Sequence, residues 1–254
     1  MNGGREDLEL HVLVQGYPGK AVCHGGLGWS TIALLRMIDR VILIDSGGFG
    51  IRRTLIERLK GLGLEPADVT DVILTHAHYD HAVNWVLFPN AVVSIGRREL
   101  EWAVQVPLGY TPVAEFYARE LMKSPQLRLV EDEEEVLPGL KAMAAPGHTP
   151  GHLIFVLSKD SGDLIFTGDA AKNRAELLSM TADATMDAAK SRETMANIWV
   201  IWRRRPENLL IPGHDMPMVL KDGLPEYVGR REAAIAAWRG DDLDQIITYD
   251  LTLV

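Results

Sequence analysis

An α/β domain is what the sequence predicts, and three observations predict it. Short apolar runs of strand length, such as Val72-Ile73-Leu74, alternate with longer segments of helical period, such as residues 52–62. The 254 residues hold no internal repeat and no low-complexity tether, so one compact domain spanning 1–254 is expected. Histidines and aspartates collect directly after the apolar runs, at the strand-to-loop junctions where such folds carry their chemistry.

Taken in order, residues 8–14 alternate as a first strand, and residues 15–29 form a loop with five glycines and Pro18 that reads as a mobile flap or a disordered insert. Residues 30–37 and 41–45 form a hairpin closed at Asp39-Arg40, leading into the turn Asp45-Ser46-Gly47. Leu55, Leu59 and Leu62 at helical spacing predict a helix over 52–62, which Gly63 stops. A strand over 72–74, a short helix over 82–87 and a buried strand over 91–95 follow. Residues 97–123 read as two amphipathic helices broken at Pro107-Leu108-Gly109, and the acidic run 131–135 as a solvated turn. Strands are predicted at 140–145, 153–158, 163–167 and 208–211, with a helix over 184–204. Residues 221–254 are expected to be a C-terminal extension of one helix, 227–239, and one strand, 247–253, whose open edge invites a second copy of the chain.

Composition narrows the function classes. Lys plus Arg total 26 against 35 Asp plus Glu, a formal charge of −9 that disfavours nucleic acid, and Arg203-Arg204-Arg205 reads as the solvated end of a helix. Cys23 is the single cysteine, so no intrachain disulfide forms and a reducing, cytoplasmic setting is expected. No stretch approaches the roughly 20 apolar residues of a membrane span, and no signal-peptide core is visible.

The densest chemistry is Thr75-His76-Ala77-His78-Tyr79-Asp80-His81. His76 and His78 are two apart and project to one side of a strand end, within reach of one ion. Asp80 and His81 lie beyond the strand, where a turn carries them towards a second ion about 3.5–4 Å away. Three later junctions repeat the theme: His148 in Pro146-Gly147-His148, Asp169 in Thr167-Gly168-Asp169, and His214 in Pro212-Gly213-His214. Each follows a glycine that permits a sharp turn.

This pattern resembles the metallo-β-lactamase-fold hydrolases, marked by His-x-His-x-Asp-His and a later His, Asp and His at strand ends. The resemblance implies an αββα sandwich, two mixed sheets flanked by helices, with a dinuclear site at one edge. It assigns His76, His78 and His148 to a first metal and Asp80, His81 and His214 to a second, with Asp169 bridging. Zinc suits these ligands, and iron, manganese and cobalt also fit. Asp45 matches an acidic turn position that braces a metal-binding His from behind.

Within that superfamily the order Pro146-Gly147-His148-Thr149-Pro150-Gly151-His152, Gly168-Asp169-Ala170 and Gly213-His214-Asp215 is most similar to the N-acyl-homoserine lactone lactonase-like branch. Those lactonases place a Tyr three residues after the bridging Asp, where this chain has Lys172. A cation there points to a substrate bearing negative charge, with Asn173 extending the contact and Trp29 in the flap supplying an apolar wall. The implied reaction is the opening of a lactone, ester or cyclic amide of a small molecule by a metal-bridging hydroxide, with Asp80 as proton relay and Lys172 as charge stabiliser. A thioester hydrolase or a nuclease of the same fold is the alternative.

Overall fold

The computed structural model describes residues 8–23, 27–110 and 112–252. A first sheet runs in the order β1 (Glu9–Val14), β2 (Ile32–Met37), β3 (Arg40–Ile44), β4 (Asp71–Leu74), β5 (Val92–Gly96) and β6 (Leu127–Val130). β1 to β3 pair antiparallel and β3 to β6 pair parallel, which makes the sheet mixed. The second sheet contains β7 (Glu135–Leu137), β8 (Leu140–Ala144), β9 (Leu153–Leu157), β10 (Leu164–Gly168), β11 (Leu209–Pro212), β12 (Met218–Lys221) and β13 (Leu224–Tyr227), in reverse chain order. Only its β10–β11 pair is parallel.

Alternation along each strand sorts side chains into layers. Ile32 and Leu34 of β2 pack outward on Leu55 and Leu59 of α1 (Arg52–Gly61), whereas Ala33 and Leu35 face the other sheet. In β9, Leu153, Phe155 and Leu157 meet the first sheet, while Ile154 and Val156 pack on Met195, Ile198 and Trp202 of α6 (Ala188–Trp202). Helices α3 (Arg97–Ala103) and α4 (Glu115–Leu121) share the outer face of the first sheet with α1. Both faces of each central strand are covered, so β4, β9 and β10 are buried throughout. Each fully buried Leu or Phe contributes about 1.5–3 kcal/mol, and the αββα sandwich expected from the sequence is the result.

The C-terminal ends of β3, β4 and β5 lie at one edge because these strands are parallel. β8, β10 and β11 bring their C-terminal ends to the same edge of the second sheet. No helix of the described residues is long and apolar enough to cross a membrane.

Three expectations need correction. Residues 227–239 are not a helix: β13 ends at Tyr227, and β14 (Ala234–Trp238) pairs with β15 (Ile246–Asp250) through five residue pairs. The alanines of 233–237 favour helix locally, but cross-strand pairing overrides that weak preference, and the Arg231 guanidinium is drawn 2.7 Å from buried Asp215. The helix expected at 82–87 begins earlier, as one turn α2 (Tyr79–Ala82) continued by a 3-10 segment over Val83–Leu87. Helix α5 (Arg174–Ser179) and strands β6, β12 and β13 were not anticipated, their apolar content being too short to show a period.

In the 15–29 loop, the described residues include a bridge in which Tyr17 and Trp29 exchange backbone hydrogen bonds. His24 lies outside the described residues.

Candidate metal centre

Seven residues from four strand ends converge. His76, His78, His148 and Asp169 form one group, and Asp80, His81 and His214 another, with the candidate donor atoms of each group within 4.8 Å of one another. His148 Nε2 lies 2.9 Å from His78 Nδ1 and 3.2 Å from Asp169 Oδ2. The other oxygen, Asp169 Oδ1, faces the second group, 3.1 Å from His81 Nε2 and 3.2 Å from His214 Nε2. Asp80 Oδ2 is 3.3 Å from His214 Nε2. One carboxylate thus addresses both groups.

Local chain geometry explains how short side chains reach one point. Asp80 and His81 stand in the single turn of α2, which starts as soon as β4 and its extension end. Gly168 turns with φ +46°, outside the comfortable range of a branched residue. Gly213 makes a close approach: a Cβ there would overlap Asp169 Oδ1.

Hydrogen bonds from behind aim the rings. Asp45, itself in the left-handed region at φ +58°, takes His81 Nδ1 at 2.8 Å and accepts from Thr75 N and Thr75 Oγ1. Thr75 Oγ1 is in turn 3.0 Å from His76 Nδ1, so the Asp45 carboxylate orients one imidazole directly and a second through a hydroxyl. His148 Nδ1 donates to Ala184 O at 2.9 Å. His152 is buried below the cluster, its Nε2 accepting the Asp169 amide at 3.1 Å. At His76, His81 and His148 the contact through Nδ1 leaves Nε2 turned inward to present a lone pair, whereas His152 spends its Nε2 on the Asp169 amide.

The two groups differ electrically. Burial, then neighbouring imidazoles, pulls His76 well below its usual range; burial and His148 bring His78 to about 3, and burial brings His148 to about 4. Burial also opposes charge on His214, but Asp169 and Asp80 outweigh it and raise that ring to about 9. His81 is likewise raised, burial being overcome by Asp169, Asp80 and Asp45. Asp169 is held well below the carboxylate range because His214, His81 and His148 overcome its burial.

Around the cluster, Lys172 is buried with Nζ 2.9 Å from Glu176 Oε1, at an angle that leaves the ammonium without a hydrogen bond. Its backbone carbonyl accepts the His214 amide at 2.8 Å. Asn173 uses its side-chain oxygen to cap α5 through Glu176 N. Trp29 stacks on Tyr17 at 5.0 Å and lines a cavity of about 310 Å³ with Phe49, Ile51, Tyr79 and Asp80. Sequence reasoning missed Thr75, Glu99 and Glu176. Glu99 accepts from Ala77 N, Thr149 Oγ1 and Gly151 N, inside the two loops that carry His76, His78 and His148. Thr75 adjoins the histidine cluster and was legible as a neighbour, whereas the other two lie on helices whose register against the site has no sequence signal.

The donor set fits metal. Two ligands about 2.1 Å from a tetrahedral ion stand roughly 3.4 Å apart, close to the spacings among these nitrogens and oxygens. His76 Nε2 is buried at the centre without a hydrogen-bond partner, and Asp169 Oδ1, though 3.1 Å from His81 Nε2 and 3.2 Å from His214 Nε2, makes no hydrogen bond with either, a costly state that a cation relieves.

Comparison with known proteins agrees with the geometry. The family model described as metallo-beta-lactamase superfamily matches residues 30–214. An N-acyl homoserine lactonase from Bacillus thuringiensis is 27% identical over 228 residues, covering 88% of this chain and 84% of the relative. The crystal structure of a metallo-beta-lactamase homologue from Thermotoga maritima superimposes with a TM-score of 0.65 at 27% identity, over 84% of this chain and 99% of that one. AidC, a dizinc quorum-quenching lactonase solved with a product N-hexanoyl-L-homoserine, shares the fold at a TM-score of 0.66 and 19% identity, over 80% of each chain. With its histidines and aspartates grouped for metal at the shared edge of two sheets, this chain belongs to the metallo-β-lactamase superfamily and is a metal-dependent hydrolase.

Proposed function

We propose that the chain opens a small molecule's lactone, the bond its lactonase relatives are named for, or its ester or cyclic amide. The observation that carries this reading is Asp169 placed between two ligand groups, one of which reaches a cavity of small-molecule size through Asp80. His76, His78 and His148 would hold one divalent ion and Asp80, His81 and His214 another, zinc being the best match to the donors. Such ions would supply polarisation of a carbonyl and a water whose pKa is brought towards neutrality.

The chain's own groups supply the rest. Asp80, 22% exposed at its side chain and lining the cavity, is placed to take a proton from the attacking water on the carboxylate oxygen not turned to His214 and return it to the leaving oxygen. Asp45 keeps the His81 proton on Nδ1, so that Nε2 faces inward. Lys172 contributes a positive charge with unused N–H groups, suited to a developing oxyanion or a substrate carboxylate. Trp29, Phe49 and Ile51 offer an apolar wall that excludes water from the acyl side.

The test is hydrolysis of a panel of lactones, esters, thioesters, cyclic amides and β-lactams at fixed zinc. The purified protein is expected to hold about two metal ions per chain and to lose lactone hydrolysis on chelation. Preference for thioesters would favour the alternative hydrolase, and undiminished activity in a His76→Ala, Asp169→Ala double variant would remove metal from the reaction.

A further inference from the structure

Among the described residues, the buried acids Asp71, Glu176 and Asp215 each pair with a cation, and Asp45 and Asp169 face histidines. Glu99 has neither kind of partner, yet its side chain is fully buried at the start of α3. Its oxygens are satisfied by three donors alone. Oε1 accepts from Ala77 N at 2.9 Å; Oε2 accepts from Thr149 Oγ1 at 2.8 Å and from Gly151 N at 3.1 Å. Ala77 lies between His76 and His78, and Thr149 directly follows His148, so one carboxyl ties together the two loops that carry all three histidines of the first group. Gly151 rests on the α3 backbone so closely that a Cβ would overlap Glu99 N. No donor of the Asp80, His81 and His214 group touches Glu99.

A buried acid without a counter-charge costs folding energy that an apolar residue would not, and burial pushes this carboxyl up to about 7. We propose that Glu99 is the positioning residue of the first half-site, clamping the 76–78 strand end to the 146–152 loop at the separation one ion requires. This rests on the two-ion reading above. Its consequence is selective: loss of the clamp loosens the ion held by His76, His78 and His148 and spares the other.

Glu99→Gln keeps the side-chain volume but sets an NH2 against either Ala77 N or the Thr149 and Gly151 donors, so at least one tie breaks whichever way the amide turns. Chelator-competition titrations with zinc and cobalt would resolve two dissociation constants, assigned with His148→Ala and His214→Ala as controls. In Glu99→Gln the first-site constant is expected to rise about 10–100-fold, the second to stay within about threefold, and the visible cobalt bands of the first site to fade. Excess metal should restore kcat, which it would not do for a residue needed in the chemistry. Thr149→Val, which removes one tie, is expected to shift the same constant by a smaller factor, and it decides the matter if Glu99→Gln does not fold. Unchanged constants in both variants, or equal weakening of both sites, would overturn the assignment. A wild-type protein that binds no ions sinks the two-ion reading instead, a distinct result.

Discussion

The candidate half-site of His76, His78 and His148 and that of Asp80, His81 and His214 lie on either side of Asp169 but are built on different physics. The first is all imidazole, at most 6% exposed, with rings that burial keeps neutral. The second contains a carboxylate, opens to the cavity through Asp80, and holds rings that its acids push towards protonation. A dry set of neutral imidazoles, with only the shared Asp169 to supply negative charge, depends more heavily on correct spacing. A partly exposed anionic set attracts a cation by charge, and its Asp80 lines the cavity. The supports follow suit: Glu99 clamps loops for the first, and the Asp45 carboxylate steers His81 of the second while reaching His76 only through Thr75.

The most disruptive way to break this comparison is to remove what the halves share. Asp169→Ala is expected to reduce kcat/KM on the order of 10³-fold and to lower bound metal, measured by elemental analysis. Two ions retained with full activity would mean that the carboxylate bridges nothing.

A second test concerns proton linkage at the support of the first half. In the folded protein Glu99 titrates near 7 against an ordinary value of 4.5, so between these values the native state keeps a proton that the unfolded chain has lost. Stability must therefore fall as pH rises through that window and level off above it, by up to about 3 kcal/mol. The difference between wild type and Glu99→Gln in urea unfolding of metal-free protein isolates this contribution. Parallel curves across the window would show that the carboxyl is not perturbed.

Asp45→Asn sharpens the contrast from the other side. It should weaken the second ion by about 10–100-fold and the first by less, the reverse of Glu99→Gln; titrations showing the same ranking for both variants would erase the distinction between supports. The smallest expected effect is at Lys172. Replacing it alone leaves Glu176 buried and unpaired, so Lys172→Met is best combined with Glu176→Gln. The pair should lower kcat/KM by about tenfold for substrates bearing a carboxylate, with metal content unchanged. An equal loss on neutral and anionic lactones would place Lys172 outside substrate recognition.

Much of the candidate site was legible before any coordinates. Glycine-preceded His148, Asp169 and His214 and the cluster 76–81 are marked by spacing within a few residues, and such short-range patterns survive in a linear reading. The 227–239 segment was misread for the opposite reason: its alanines speak for local propensity, whereas β14 exists only because β15 lies beside it. Glu99 falls in the 97–123 segment read as amphipathic helices, and only the packing of α3 against the 146–152 loop makes it a buried clamp. Lys172 stood out as a departure from a lactonase pattern, but its partner Glu176 emerged only once α5 was formed.

By itself the sequence determined the α/β class and the identity of the metal-binding candidates, since strand alternation, glycine turns and ligand spacing are encoded within a few neighbouring residues; the layer architecture came only as what the family resemblance implies. Tertiary structure decided which groups support which ligands, which face of each half-site meets solvent, and how the last 30 or so residues fold. Those outcomes depend on register between elements distant in the chain, where a shift of one residue exchanges a buried side chain for an exposed one.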